Sequence, residues 1–216
     1  MLVVACNTAS ALALPAIRRA VNVEVVGVIE PGARAAVAVA SDNRIGVIAT
    51  EATVQSHAYR HAISTIDVEA KIIERACPLF VSLAEEGWSD TTVARDVARQ
   101  YLTDFTDSTV SALVLGCTHY PILRDVIEEI VGKSVTLIDS GEATAAEVKI
   151  FLKQSGLAHS DTSALYQERQ LCDDLDHFYV TDAATRFAKV AERFLGVAPT
   201  ILEAVEIWGH DELRTN

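Results

Sequence analysis

The sequence predicts an α/β fold: two similar domains with mostly parallel sheets flanked by helices, and an active site between them. Three observations predict it. Short apolar runs alternate with longer amphipathic ones along all 216 residues. Half of the residues are hydrophobic while only 6% are aromatic, and Ala, Val, Ile and Leu supply most of that half. One pair of short motifs also recurs in the same order. Strands covered by helices on both faces need near-continuous aliphatic runs, so this composition fits buried parallel sheets better than a β-sandwich.

The apolar runs predict strands over 2–5, 25–29, 45–49, 68–73, 112–116, 135–138 and 178–180. Amphipathic spacing predicts helices over 10–20, 32–40, 53–64, 91–105, 121–131, 143–153 and 184–194. Pro121 fits a first helical position and Gly132 the position just past a helix end. Pro15 should kink or restart the first helix.

The internal echo sets the domain organisation. Leu2-Val3-Val4-Ala5-Cys6-Asn7-Thr8 matches Leu113-Val114-Leu115-Gly116-Cys117-Thr118-His119: an apolar strand, a small residue, a cysteine, then polar residues opening a helix. A second echo follows each cysteine. In Val28-Ile29-Glu30-Pro31-Gly32 the acid lies 24 residues after Cys6, and in Leu137-Ile138-Asp139-Ser140-Gly141 it lies 22 after Cys117. Duplication explains two matching elements at near-equal spacing better than chance does. The expected domains are 1–28 with 141–216, and 29–140.

Charge and composition exclude several classes. A net charge of -12 repels phosphate backbones, so no nucleic-acid partner is expected. No apolar run approaches the roughly 20 residues of a membrane span, so no membrane partner is expected either. The segment Met1–Cys6 has neither the basic start nor the long apolar stretch of a secretion signal, which predicts a cytoplasmic protein. The four cysteines, Cys6, Cys77, Cys117 and Cys172, form no CxxC pair and no zinc-ligand spacing. Cys77 reads as structural and Cys172 as an incidental exposed thiol. His119 lies too close in the chain to Cys117 for good nucleophile–base contact if that segment is extended.

Cys6 and Cys117 stand apart because both fall at the carboxyl end of a strand where a helix begins. Ligands of open α/β sheets bind at that edge. Helix amides there favour a thiolate, which predicts lowered thiol pKa values, and the neighbouring amide, hydroxyl and imidazole groups suit a carboxylate. Two facing thiols around one small acid suggest inversion of a stereocentre. One sulfur removes the α-proton from one face, the other delivers a proton to the opposite face, and the roles exchange with direction.

These residues carry a family resemblance. Val3-Val4-Ala5-Cys6-Asn7-Thr8-Ala9-Ser10-Ala11 resembles the first cysteine motif of glutamate racemases, and Leu113-Val114-Leu115-Gly116-Cys117-Thr118-His119-Tyr120-Pro121 the second. Gly46-Val47-Ile48-Ala49-Thr50 with Thr53, Ala76-Cys77-Pro78-Leu79-Phe80-Val81 with Glu85, Asp139-Ser140-Gly141-Glu142-Ala143-Thr144 and Phe178-Tyr179-Val180-Thr181-Asp182 also fit. The resemblance spans nearly the whole chain. It implies cofactor-independent interconversion of L- and D-glutamate for peptidoglycan synthesis, with neither pyridoxal phosphate nor a metal. Cys6 and Cys117 would be the acid/base pair, with Glu85 and His119 assisting them. Asn7, Thr8, Thr118, His119, Thr50 and Thr53 would bind or orient glutamate. A homodimer is the assembly the family suggests.

The family also carries an Asp-Ser-Gly motif and a Tyr-Gly motif ahead of the first cysteine. Neither stands in this sequence, so a truncated chain, poorly active alone and exposing apolar surface around residues 2–5, is expected. Two alternatives stay open: a racemase for aspartate or another amino acid, and a non-catalytic binding protein such as a gyrase-interacting fragment.

Overall fold

In the computed structural model of the chain, residues 1–105, 109–159, 171–173 and 175–206 are described. The chain forms two compact units, Met1–Ala158 and His159–Asn216. The boundary between them falls inside the segment 141–216 that the sequence assigns to one domain; residues 160–170, 174 and 207–216 of that segment lie outside the described residues.

In the first unit, β1 (Leu2–Val4) pairs in parallel with β2 (Val25–Gly27). Between them run α1 (Asn7–Leu12) and α2 (Leu14–Ala20), broken at Ala13 with Pro15 in the first turn of α2, as the proline predicts. Next come α3 (Ile29–Val39), β3 (Arg44–Ala49), α4 (Glu51–Gln55), α5 (Ala58–Ile66), β4 (Lys71–Ala76), α6 (Leu79–Glu86) and α7 (Thr92–Leu102). Then follow β5 (Ala112–Gly116), a 3-10 turn at Tyr120–Leu123, α8 (Arg124–Val131), β6 (Thr136–Asp139) and α9 (Ser140–Gln154). The four later strands form one parallel sheet in the order β4-β3-β5-β6.

Side-chain alternation along the central strands explains why this sheet is buried on both faces. Leu113 and Leu115 of β5, with Ile48 of β3, join Phe80, Leu83, Ala94, Leu102 and Ile127 in a core covered by α6, α7 and α8. Val114, Ile45 and Val47 point the other way, into Ile29, Ala33, Tyr59 and Ile63 under α3 and α5. The order strand, cysteine, helix, strand, helix recurs: β1, Cys6, β2, α3 and β5, Cys117, β6, α9 follow the same course, and α3 packs on α9. As expected, the start of β1 is open, with Leu2 and Val3 38% and 40% exposed.

In the second unit, β7 (His177–Val180) and β8 (Ile201–Ala204) pair in parallel across α10 (Ala184–Leu195). Cys172 belongs here, and its expected exposure is corrected: it is 2% exposed. Its N–H donates to Asp176 Oδ2 and its carbonyl accepts from Thr200, so the chain wraps it rather than leaving it on the polar surface.

Other boundaries moved for local reasons. The strand expected at 68–73 lies at Lys71–Ala76, because the Asp67 carboxylate caps Glu69 N–H at 2.9 Å and turns the chain, leaving Val68 81% exposed. The single helix expected over 53–64 breaks at Ser56-His57. Ser56 Oγ donates to the Thr53 carbonyl and accepts from Ala58 N–H, and His57 takes a left-handed φ of 54°. The 8-residue helix α6 and strand β8 were not among the expected elements. Among the described residues no helix is long and apolar enough to cross a membrane.

Phe80 is wholly buried and meets Tyr101 and Tyr120 edge-to-face, each at 5.3 Å between ring centres. Phe80→Ala should lower the unfolding free energy by about 3–5 kcal/mol in urea denaturation. Val68→Ala at the exposed turn should change it by less than about 0.5 kcal/mol.

Candidate active site

The sheet brings its strand ends to one edge. Ala49 pairs with both Ala76 and Gly116, so Cys77, Thr50 and Cys117 leave three adjacent strands side by side. Leu115 pairs with Asp139, so Ser140 leaves the fourth beside them. Gly116 is a packing requirement here: a Cβ would stand 2.8 Å from the Ile48 carbonyl oxygen and 3.0 Å from the Tyr59 ring.

The first cysteine motif docks on this edge. Cys6 is the N-cap of α1 and its sulfur accepts from Ala9 N–H at 3.4 Å. This cap starts α1 at Asn7, three residues before the helix expected over 10–20. Thr8 Oγ1 lies 2.9 Å from Thr50 Oγ1 and 3.0 Å from Thr53 Oγ1, and Thr50 and Thr53 lie 3.0 Å apart. Three expected site residues thus form one triangle of hydroxyls, with Thr50 also capping α4. Asn7 is buried at 1% exposure; its Oδ1 accepts from Tyr59 at 2.6 Å and from Ser140 at 3.3 Å. Sequence reasoning missed Tyr59 as a site neighbour. It is an ordinary apolar-face position of a helix, whereas Ser140 sits in a motif already singled out.

The second cysteine motif is a tight turn rather than an extended segment, which corrects the expected separation of Cys117 and His119. Tyr120 N–H bonds back to the Cys117 carbonyl, and the turn swings His119 Nδ1 to 3.8 Å from Cys117 Sγ. His119 Nε2 lies 3.1 Å from Glu85 Oε1, near the end of α6. Cysteine, imidazole and carboxylate therefore line up in one chain. Thr118, between Cys117 and His119, is exposed.

Electrostatics differ from the expectation for the buried thiol. Burial pushes Cys117 up to about 11, with the charge of Cys6 adding to the rise; the His119 backbone and the Thr118 side chain pull the other way and lose. The turn after Cys117 offers fewer aligned amides than an α-helix end, so desolvation wins. Cys77 is wholly buried, its sulfur 3.8 Å from the Arg75 carbonyl, and burial pushes it up to about 12, in keeping with a structural role. No group of three potential metal ligands occurs among the described residues.

A family model described as Asp/Glu/hydantoin racemase matches residues 1–148. A glutamate racemase from Geobacter metallireducens is 48% identical over 196 residues, covering 91% of this chain and 69% of that one. The chain belongs to the glutamate racemase family. Among solved structures, the chain is similar to a glutamate racemase isoform from Bacillus anthracis, with a TM-score of 0.85 and 36% identity over 95% of this chain and 73% of that one. It is also similar to the Francisella tularensis glutamate racemase in complex with D-glutamate, with a TM-score of 0.82 and 33% identity over 96% of this chain and 74% of that one.

The raised thiols couple folding of this chain to pH. The unfolded chain releases thiol protons near pH ~8.5, whereas the folded chain holds those of Cys117 and Cys77 until about 11 and about 12. The stability they contribute is complete below the unfolded value and is lost as pH rises through the folded ones. Urea midpoints should therefore hold steady below about pH 8.5 and fall above it, less steeply in Cys117→Ser, whose hydroxyl does not titrate.

Proposed function

We propose that this chain interconverts L- and D-glutamate by two-thiol acid/base catalysis, without a cofactor, supplying D-glutamate for peptidoglycan in the cytoplasm. The observation that carries the reading is the hydrogen bonding of Thr8 to Thr50 and Thr53. It seats the first cysteine motif on the sheet edge from which the second emerges. The family membership and the glutamate racemases it resembles supply the substrate.

In this reading the amino acid lies between Cys6 and Cys117. The thiolate on one side takes the α-proton, and the thiol on the other returns a proton to the opposite face of the planar carbanion. Each sulfur ends a half-turnover in the state the reverse reaction needs. With its pKa pushed up to about 11, Cys117 rests as the neutral thiol and so as the acid. When it must serve as base, His119 can accept its proton, and the Glu85 carboxylate would stabilise the resulting imidazolium. Asn7, Thr8, Thr50, Thr53 and Thr118 would hold the carboxylates and the ammonium. The proposed halves are the β1–β2 segment, 1–28 with 141–216, and the four-stranded sheet, 29–140, in a homodimer.

Replacing Cys6 or Cys117 by Ser should slow racemisation at least about a hundredfold, measured by circular dichroism of each glutamate enantiomer. Exchange of the α-hydrogen in D2O, followed by NMR, should become unequal for the two enantiomers, because each variant keeps one competent face. Wild-type rates in both variants would remove the thiols from the mechanism. Faster turnover of aspartate than of glutamate by the unsubstituted chain would reassign the substrate.

A further inference from the structure

Asn7 Nδ2 is, among the described residues, a fully buried side-chain donor without a hydrogen-bond partner. The other end of the same amide is doubly held. Oδ1 accepts from the Tyr59 hydroxyl of α5 at 2.6 Å and from the Ser140 hydroxyl at the start of α9 at 3.3 Å. The Tyr59 hydroxyl favours this orientation, because Oδ1 is the acceptor its proton uses, whereas Ser140 can also donate to the Leu115 carbonyl. Rotated by half a turn, Asn7 would aim two N–H groups at those hydroxyls and remove the acceptor that both use.

Both hydroxyls are themselves fixed. Tyr59 is 1% exposed and Ser140 3%. Glycines shape the space around the phenol. A Cβ at Gly32 would come within 3.2 Å of the Tyr59 hydroxyl and of Ser140 Cβ, and one at Gly116 within 3.0 Å of the Tyr59 ring. Burial raises the phenol's pKa far above its ordinary value, so the hydroxyl keeps its proton and stays a donor. Ser140 divides its proton between Asn7 and the Leu115 carbonyl at 3.4 Å, which makes it the weaker of the two holds.

We propose that Tyr59 and Ser140 are positioning residues that lock the Asn7 amide, so that Nδ2 is presented as a donor to a carboxylate oxygen of the bound amino acid. This rests on the racemase reading and adds to it two residues that do not touch substrate. Asn7 lies between Cys6 and Thr8 in the chain, so its amide belongs to the same docked motif as the thiol and the hydroxyl triangle. An unlocked amide would turn Oδ1 toward the carboxylate, oxygen against oxygen. The loss then falls on substrate binding and leaves proton transfer at the two sulfurs largely untouched.

Tyr59→Phe keeps the ring and removes the hydroxyl. In this chain it should raise KM for both glutamate enantiomers about tenfold, the worth of one hydrogen bond to a charged group, with kcat within about twofold. Ser140→Ala should act in the same direction but more weakly. Tyr101→Phe removes a hydroxyl that accepts from Leu79 N–H, away from Asn7, and should leave KM alone. In an Asn7→Ala background, Tyr59→Phe should add nothing, since the amide it acts through is gone. Calorimetric titration with D-glutamate should show the same weakening of binding. Unchanged KM in Tyr59→Phe, a fall in kcat alone, or additivity with Asn7→Ala would overturn the proposal. Should Tyr59→Phe fail to fold, Ser140→Ala decides by the same criteria. An unsubstituted chain that neither binds nor racemises glutamate would overturn the racemase reading itself, whereas a Tyr59→Phe enzyme indistinguishable from a working parent would overturn only the lock.

Discussion

A parallel sheet buried on both faces has one chemically useful place, the edge where its strands end. In this chain the pairing of Ala49 with Ala76 and Gly116 aligns those ends. The candidate residues follow those strands: Thr50 and Thr53 after β3, Glu85 on the helix after β4, Cys117, Thr118 and His119 after β5, Ser140 after β6. The register is enforced by close packing, since Gly116 leaves no room for a side chain between Ile48, Ala49 and Tyr59. A slip of one residue would turn Leu113 and Leu115 out of one core and Val114 out of the other.

Polar docking completes the site. The short helix α1 reaches the edge through Thr8 and Asn7, whose partners come from α4, α5 and α9. Hydrophobic burial brings such layers together without specifying the rotation of a six-residue helix, whereas buried hydrogen bonds do specify it. The two thiols are then in unlike surroundings. Cys6 caps an exposed helix end, while Cys117 sits in the core and is linked through His119 to Glu85. Burial pushes the Cys117 thiol up, a shift set by what packs around the sulfur rather than by its own motif.

Much of the fold was legible because its signals are local. Aliphatic runs located β3 and β5 almost to the residue, and the repeated strand–cysteine–helix motif pointed to the two thiols. Features that rest on a single side chain turning the backbone were not legible. The Asp67 cap moved β4, Ser56 broke α4 from α5, and the turn after Cys117 brought His119 to the sulfur. Tyr59 was invisible as a site neighbour because a tyrosine on the inner face of a helix reads as core, which it also is.

By itself the sequence determined the α/β class, the family and the identity of the residues able to do acid/base chemistry, since alternation, composition and motif spacing are properties of neighbouring residues. The tertiary structure alone decided which of them meet. The Thr8–Thr50–Thr53 triangle joins residues more than 40 positions apart, and the Asn7–Ser140 bond joins residues 133 apart. It also decided that Cys117 would hold its proton, because desolvation depends on what the rest of the chain packs around a sulfur, and no local pattern encodes that.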